Sequence, residues 1–333
     1  MIRTMTHPLL PLIPRLAELN VLVIGDVFLD QYLVGRPARL SREAPIPVLE
    51  FEEQQLIPGG GANPAANIAS MGSHPFLVGV RGDDTEGMAL QLALAGLGID
   101  AAGLVLDPGR ATALKMRVLA RGSLRFAQQV ARLDKIDRRP LSAEVQGQLI
   151  AAIEALAPRV SAILLSDYRS GLCTPAVVEA ARQAARRGGL LLTADSQGQL
   201  DLYRDFALVK CNHNEAEAYL ARRLPDDRAL QNAAQELLER LSLAAMLITR
   251  GERGLTLASR EAGVRHIPAD NLTEVFDTTG AGDTVIAVAT LALAGGLDVN
   301  SAALLANYAA GVAVRRLGNH PVTAAELAQV VAE

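Results

Sequence analysis

The chain has 333 residues, half of them apolar and a fifth charged, with 32 basic against 36 acidic side chains and a net charge of −4. That length suits one large α/β domain or two smaller ones, and the apolar content excludes disorder. Twenty-eight Gly and 16 Pro without a period exclude collagen-like and low-complexity chains, and the near-balanced charge sets up no field for nucleic acid.

In chain order, the N-terminal stretch is broken by Pro8, Pro11 and Pro14, which argues against a signal-peptide core. No run of 18 apolar residues follows, so no membrane is expected and the cytoplasm is the expected compartment. Residues 21–24 form a short apolar run ending at Gly25-Asp26, the pattern of a buried parallel strand that opens into a loop. The same pattern recurs where 162–165 runs into Ser166-Asp167, 190–193 into Ala194-Asp195, and 246–249 into Arg250-Gly251. Each follows a plausible amphipathic helix, so the expected fold is α/β, with a mostly parallel central sheet covered by helices on both faces. Ligands of such sheets sit at the carboxyl ends of the strands, where Asp26, Asp167, Asp195 and Arg250 fall. Two segments break the alternation, 31–53 with its prolines and 111–133 with a partly alternating KMRVLARG, and both suggest exposed strands outside the main sheet. They form either a lid over the strand ends or a plain edge hairpin. With neither linker nor repeat, residues 1–333 are taken as one domain with a lid. Cys173 and Cys211 offer neither a disulfide framework nor a Cys-x-x-Cys zinc pair and are expected to be buried.

Three segments carry chemistry. Asp277-Thr278-Thr279-Gly280-Ala281-Gly282-Asp283 precedes an apolar helical run, and glycines at a helix start let backbone N–H groups approach an anion, with phosphate the natural guest. Asp283 in the first turn should stay ionised near neutral pH and accept a proton; the alternative is a glycine turn with a helix-end charge. Gly59-Gly60-Gly61-Ala62-Asn63, with Asn67 four residues on, places two carboxamides on one helix face, suited to a polyhydroxylated ligand or, alternatively, to a helix cap. Asn212 and Glu215 stand three apart after a strand, suited to the water shell of Mg²⁺ or to an N-terminal cap. Thr249-Arg250-Gly251 through Gly254 closes a further strand with a turn able to line phosphates. There is no Walker-type loop, no H-E-x-x-H and no G-x-S-x-G, and the five histidines show no ligand spacing.

In this order along one chain, these motifs resemble the ribokinase-like (phosphofructokinase-B) carbohydrate kinases from about residue 19 onward. The resemblance implies Asp283 as the base, Gly280, Ala281 and Gly282 as the anion hole, and sugar binding by Asp26, Asp30, Gly60, Gly61, Asn63, Asn67 and Asp167. It further implies ATP along Asn212, Glu215, Thr249, Arg250, Gly251, Gly254 and Asn307, with Mg²⁺ held through water near Asn212 and Glu215. A monovalent cation beside the anion hole is left open. RLSREAPIPVL, LSDYRSGL and DTTGAGDTVIAV look most like the branch acting on a heptose 7-phosphate, which implies phosphorylation of its anomeric hydroxyl on the way to lipopolysaccharide heptose. A nucleotidyltransferase domain often fused to that branch is expected on a separate protein. Where the branch carries Asp-Pro-Lys-Gly and Thr-Pro-Asn, this chain has Asp195-Ser196-Gln197-Gly198 and Lys210-Cys211-Asn212. Lys115, Arg117, Arg121 and Arg132 are candidate partners for a substrate phosphate, the alternative for each being a solvated lid face. An exposed lid edge would be hidden by a second copy, so a homodimer is expected.

Overall fold

The computed structural model describes residues 7–122, 127–269, 278–316 and 318–332. Residues 123–126 of the second lid segment and Asp277 of the glycine-rich motif lie outside these. Val21 and Val23 pack into one buried cluster while Leu22 and Ile24 pack into another, so the apolar run serves two cores, one on each face of a sheet. Ala162 and Leu164 against Ile163 and Leu165 repeat the division, as do Ala245 and Leu247 against Met246 and Ile248. A strand buried on both faces cannot alternate polar and apolar residues, which is why these segments are continuously apolar.

The strands among the described residues are β1 (Asn20–Gly25), β2 (Val27–Leu40), β3 (Pro47–Gly60), β4 (His74–Gly82), β5 (Asp100–Asp107), β6 (Leu114–Ala120), β7 (Gln128–Lys135), β8 (Ala162–Asp167), β9 (Leu191–Ser196), β10 (Leu208–Asn212), β11 (Ala245–Thr249), β12 (Leu255–Ser259) and β13 (Gly263–Ile267). The helices are α1 (Ala62–Ser70), α2 (Thr85–Gly96), α3 (Ala143–Leu156), α4 (Pro175–Gly188), α5 (His213–Leu220), α6 (Asp227–Arg240), α7 (Ala281–Ala294), α8 (Val299–Ala313) and α9 (Ala324–Ala332). The nine-stranded sheet runs β13-β12-β11-β10-β9-β8-β1-β4-β5, parallel from β11 to β5, with β12 and β13 antiparallel at one edge. Helices α1, α2, α7, α8 and α9 cover one face and α3 to α6 the other. Helix α7 is apolar all round and buried from Asp283 to Ala292, as expected of a helix surrounded by protein.

The segments expected as a lid or an edge hairpin belong to a separate four-stranded sheet in the order β3-β2-β6-β7, called the lid below for its position in the chain. It starts earlier than the sequence suggests, because only Asp26 separates β1 from β2 and the two sheets share a continuous chain at that point. Gly59 and Gly60 form the end of β3, where they pair with Phe28 and Val27 of β2. Gly60 has φ +65°, and a Cβ there would lie 2.1 Å from the Asp26 carbonyl oxygen, so close strand packing is what requires glycine. Cys173 and Cys211 are buried and free. No helix among the described residues is long and apolar enough to cross a membrane.

Candidate active site

Helix α7 begins at Gly280, whose φ of +79° is the left-handed conformation and which supplies no capping side chain. The first-turn N–H groups of a helix have no intrahelical acceptor, and with the helix field they form a seat for an anion. Both flanking glycines are set by what approaches them. A Cβ on Gly280 would lie 2.6 Å from the Asn63 amide nitrogen and 2.7 Å from the Asn319 amide oxygen, and one on Gly282 would lie 2.6 Å from Lys210 Nζ.

Asp283, in that first turn, is buried. The Tyr168 hydroxyl donates to its Oδ1 at 2.6 Å and lies 2.8 Å from Oδ2, and the Asn63 amide donates to Oδ2 at 2.6 Å. Burial pushes its carboxyl up to about 6, the charge of Asp195 pushes the same way, and Tyr168, Lys210 and Asn63 oppose the shift. The helix field therefore does not dominate; burial does. At pH 7 the group is still ionised, and it is a stronger base than an ordinary carboxylate. From Asn63 the network continues to Asn319 at 3.3 Å and on to Asp30 at 3.2 Å, which is ion-paired with Arg117 of β6. Asp283 is thus connected by hydrogen bonds and an ion pair to the small sheet.

Other expected sugar-side residues have partners within the fold. Asp26 accepts from the backbone N–H groups of Tyr168, Ser170 and Leu172 and so folds the loop that delivers Tyr168. Asp167 accepts from the Arg169 N–H and the Tyr203 hydroxyl. Asn67 is fully buried; its amide donates to the Asn63 carbonyl, and its oxygen accepts from the Val322 N–H and the Thr284 hydroxyl. Gly61 caps α1 against β1. Of the four lid cations, Arg117 is taken by Asp30, Arg121 by Glu52 and Glu53, and Arg132 by Asp134. Lys115 has no carboxylate at ion-pair distance among the described residues; its ammonium lies 3.2 Å above the Phe28 ring and 5.3 Å from that of Tyr168. Burial lowers it to about 8.

On the other side of Gly282, a cavity of about 690 Å³ is lined by Lys210, Asn212, Thr249, Arg250, Gly251, Gly254, Ala281 and Asn307, among others. It gathers most of the expected nucleotide residues, with two corrections of detail. Asn212 and Glu215 form a reciprocal capping box at α5, Asn212 N–H to Glu215 Oε2 at 2.6 Å and Glu215 N–H to Asn212 Oδ1 at 2.9 Å, so the cap reading describes their geometry. The Arg250 guanidinium is held by Asp227 and His266, and the Asn307 amide by the Pro268 carbonyl at 2.8 Å. Both therefore shape the wall.

Three residues of the site escaped the sequence: Tyr168, Asn319 and Lys210. Lys210 is buried and bonds both oxygens of Asp195, its register partner on β9, at 2.8 and 2.9 Å. Lys210 and Asp195 face each other across the β9–β10 pair, and Gln197 follows just past the end of β9, a relation no linear pattern displays.

The model of the pfkB family carbohydrate kinases matches residues 18–324. The chain belongs to this family. It is accordingly an ATP-dependent sugar kinase with a ribokinase-like fold. Among curated pfkB relatives it is 39% identical over 93% of its length to the bifunctional protein HldE of Geobacter metallireducens and 40% identical over 96% to that of Pelobacter propionicus. The chain spans 62% and 64% of those two relatives. Among solved structures it superposes on phosphofructokinase-2 of Escherichia coli with TM-score 0.76 at 19% identity, covering 94% of this chain and 98% of that one. The Arabidopsis thaliana ribokinase complexed with ribose and ATP gives TM-score 0.72 at 18% identity, covering 94% and 99%.

Proposed function

We propose that this pfkB-family kinase transfers the γ-phosphoryl group of ATP to the anomeric hydroxyl of a heptose 7-phosphate, with Asp283 as base. The observation that carries the reading is the position of Asp283, at the N-terminus of α7 between the 690 Å³ cavity and the lid. In this scheme the acceptor O–H gives its proton to Asp283 as its oxygen bonds the γ-phosphorus. The bond from that phosphorus to the β,γ-bridging oxygen breaks, and ADP leaves. The N–H groups at Gly280–Gly282 and the Lys210 ammonium face the charge that develops on the transferred oxygens. Lys115, which has no carboxylate at ion-pair distance among the described residues and lies over Phe28 beside Tyr168, supports a phosphorylated acceptor, and the segments resembling the heptose 7-phosphate branch support the heptose.

Among the described residues no group of three His, Cys, Asp or Glu could hold a metal. After the capping box Glu215 retains Oε1, which suits a cation that keeps its waters, as Mg²⁺ does. When bound with ATP, such a cation neutralises phosphate charge. A cytoplasmic location follows from the need for ATP. A second copy of the chain is the proposed partner, because six of the ten large hydrophobics exposed among the described residues, Leu40, Ile46, Phe51, Leu56, Val130 and Leu133, lie on the lid or its hairpin.

The test is coupled ADP release with Mg-ATP against heptose 7-phosphate, sedoheptulose 7-phosphate, fructose 6-phosphate, ribose and fructose, with Asp283→Asn alongside. Turnover confined to heptose 7-phosphate and lowered by orders of magnitude in the variant is expected. Turnover of another acceptor alone would discard the heptose, and an unimpaired variant would discard the base.

A further inference from the structure

The loop after β8 spends an unusual amount of structure on one hydroxyl. Three of its N–H groups, from Tyr168, Ser170 and Leu172, converge on Asp26. Arg169 takes a positive φ of 57°, with its N–H bonded to Asp167, and Gly171 takes φ +102°. Strain of this kind persists where surrounding contacts over-determine it. The outcome is a Tyr168 ring fixed edge-on to Phe28 at 5.5 Å, with its hydroxyl on the Asp283 carboxylate.

We infer that Tyr168 is a positioning residue: its hydroxyl, with the Asn63 amide, fixes the plane of the Asp283 carboxylate and stabilises its ionised form, leaving a lone pair of the carboxylate to take the proton of the acceptor. The Tyr168 hydroxyl has one proton to give, 2.6 Å from Oδ1 and 2.8 Å from Oδ2, and the Asn63 amide donates to Oδ2 at 2.6 Å. A carboxylate oxygen has two lone-pair sites, so with these two donors in place the carboxylate keeps lone pairs for a substrate hydroxyl. The proposal rests on the reading of Asp283 as base.

The charged and titratable groups facing Asp283 come from separate elements: Asp195 on β9, Lys210 on β10 and Tyr168 after β8. Asp30 adds to the field at Tyr168, and Lys115 lies near its ring. Burial first, then Asp283 and Asp195, pushes the Tyr168 phenol well above its usual range, so it remains a donor throughout the working pH. Donation favours the ionised carboxylate, and removing it therefore raises the pH at which Asp283 takes up a proton.

Two readouts test this. In the first, Asp283 is titrated directly by carboxyl ¹³C NMR of aspartate-labelled enzyme, with Asp283→Asn identifying the resonance. Tyr168→Phe should move the midpoint up by about one pH unit, the size expected for a hydrogen bond to a charged group. Site-specific 3-fluorotyrosine at 168, a stronger donor of nearly the same shape, should move it down, and this variant decides the matter if the phenylalanine form does not fold. In the second, the acid limb of kcat/KM should follow the same midpoints. In Tyr168→Phe, kcat above the limb should fall about tenfold with KM for ATP within twofold. Midpoints unmoved in both variants, with kcat within twofold, would overturn the inference. If the wild-type enzyme turns over no acceptor, the kinase reading fails, while the carboxyl titration still decides whether Tyr168 governs Asp283.

Discussion

Asp283 is buried beside the charge of Asp195, and its carboxyl titrates near 6 in the folded chain against 3.8 for the free side chain. The sign of the linkage follows. Below about pH 4 the group is neutral folded or unfolded and costs nothing. Between pH 4 and 6 the unfolded chain ionises while the fold resists, and above 6 the whole penalty is present. A residue carried at such a cost fits the base proposed for the reaction. Asp283→Asn should therefore raise the melting temperature at pH 8, by an amount corresponding to roughly 1–3 kcal/mol. The advantage over wild type should close as pH approaches 4. A melting temperature at pH 8 equal to or below wild type would show that Tyr168, Asn63 and Lys210 already compensate the buried charge in full.

At the level of elements, the start of α7 concentrates the site, and its two glycines guard different things. A side chain on Gly282 meets only the far end of the Lys210 side chain, whereas one on Gly280 meets Asn63 and Asn319 and must also hold φ +79°. Gly282→Ala should keep a melting temperature near wild type yet lose at least tenfold in kcat, because the displaced ammonium no longer faces the transferred phosphate. Gly280→Ala should lose both activity and about 1–3 kcal/mol of stability. Differential scanning fluorimetry beside ADP release separates the two, and equal destabilisation by both would refute the distinction. The same elements mark what sequence can carry. The runs at β1, β8, β9 and β11 were legible because strands buried on both faces must be continuously apolar, and Gly280–Gly282 because glycines ahead of an apolar run mark a helix start. Asn212 and Glu215 were legible as a pair, but their spacing serves a capping box and a hydrated cation equally, and only the hydrogen bonds decide the geometry. Tyr168, Lys210 and Asn319 were not legible. Each owes its role to a partner distant in the chain, Asp283 lying 115 residues from Tyr168 and Asp30 lying 289 from Asn319.

For the whole molecule, the two sheets differ in how they are covered. The large sheet has helices on both faces, whereas the outer half of the lid has no second layer: β7 is exposed along its whole length and Phe51 and Leu40 are 68% and 72% exposed. A sheet with apolar side chains must bury them against something, and a second lid offering the same surface does so symmetrically. Light scattering at micromolar concentration should therefore give twice the chain mass, and Phe51→Asp should return the monomer mass without altering the main fold, since Phe51 touches neither core. The consequence reaches the site, because β6 of this sheet carries Lys115 and Arg117 and its partner strand β2 carries Asp30. Loosening the lid should raise KM for a phosphorylated acceptor at least fivefold while leaving KM for ATP, which meets the opposite side of Gly282, within twofold. A wild-type monomer would defeat the pairing of lids. A monomeric Phe51→Asp enzyme with unchanged acceptor KM would show instead that β2 and β6 hold their cleft residues without help from a second copy.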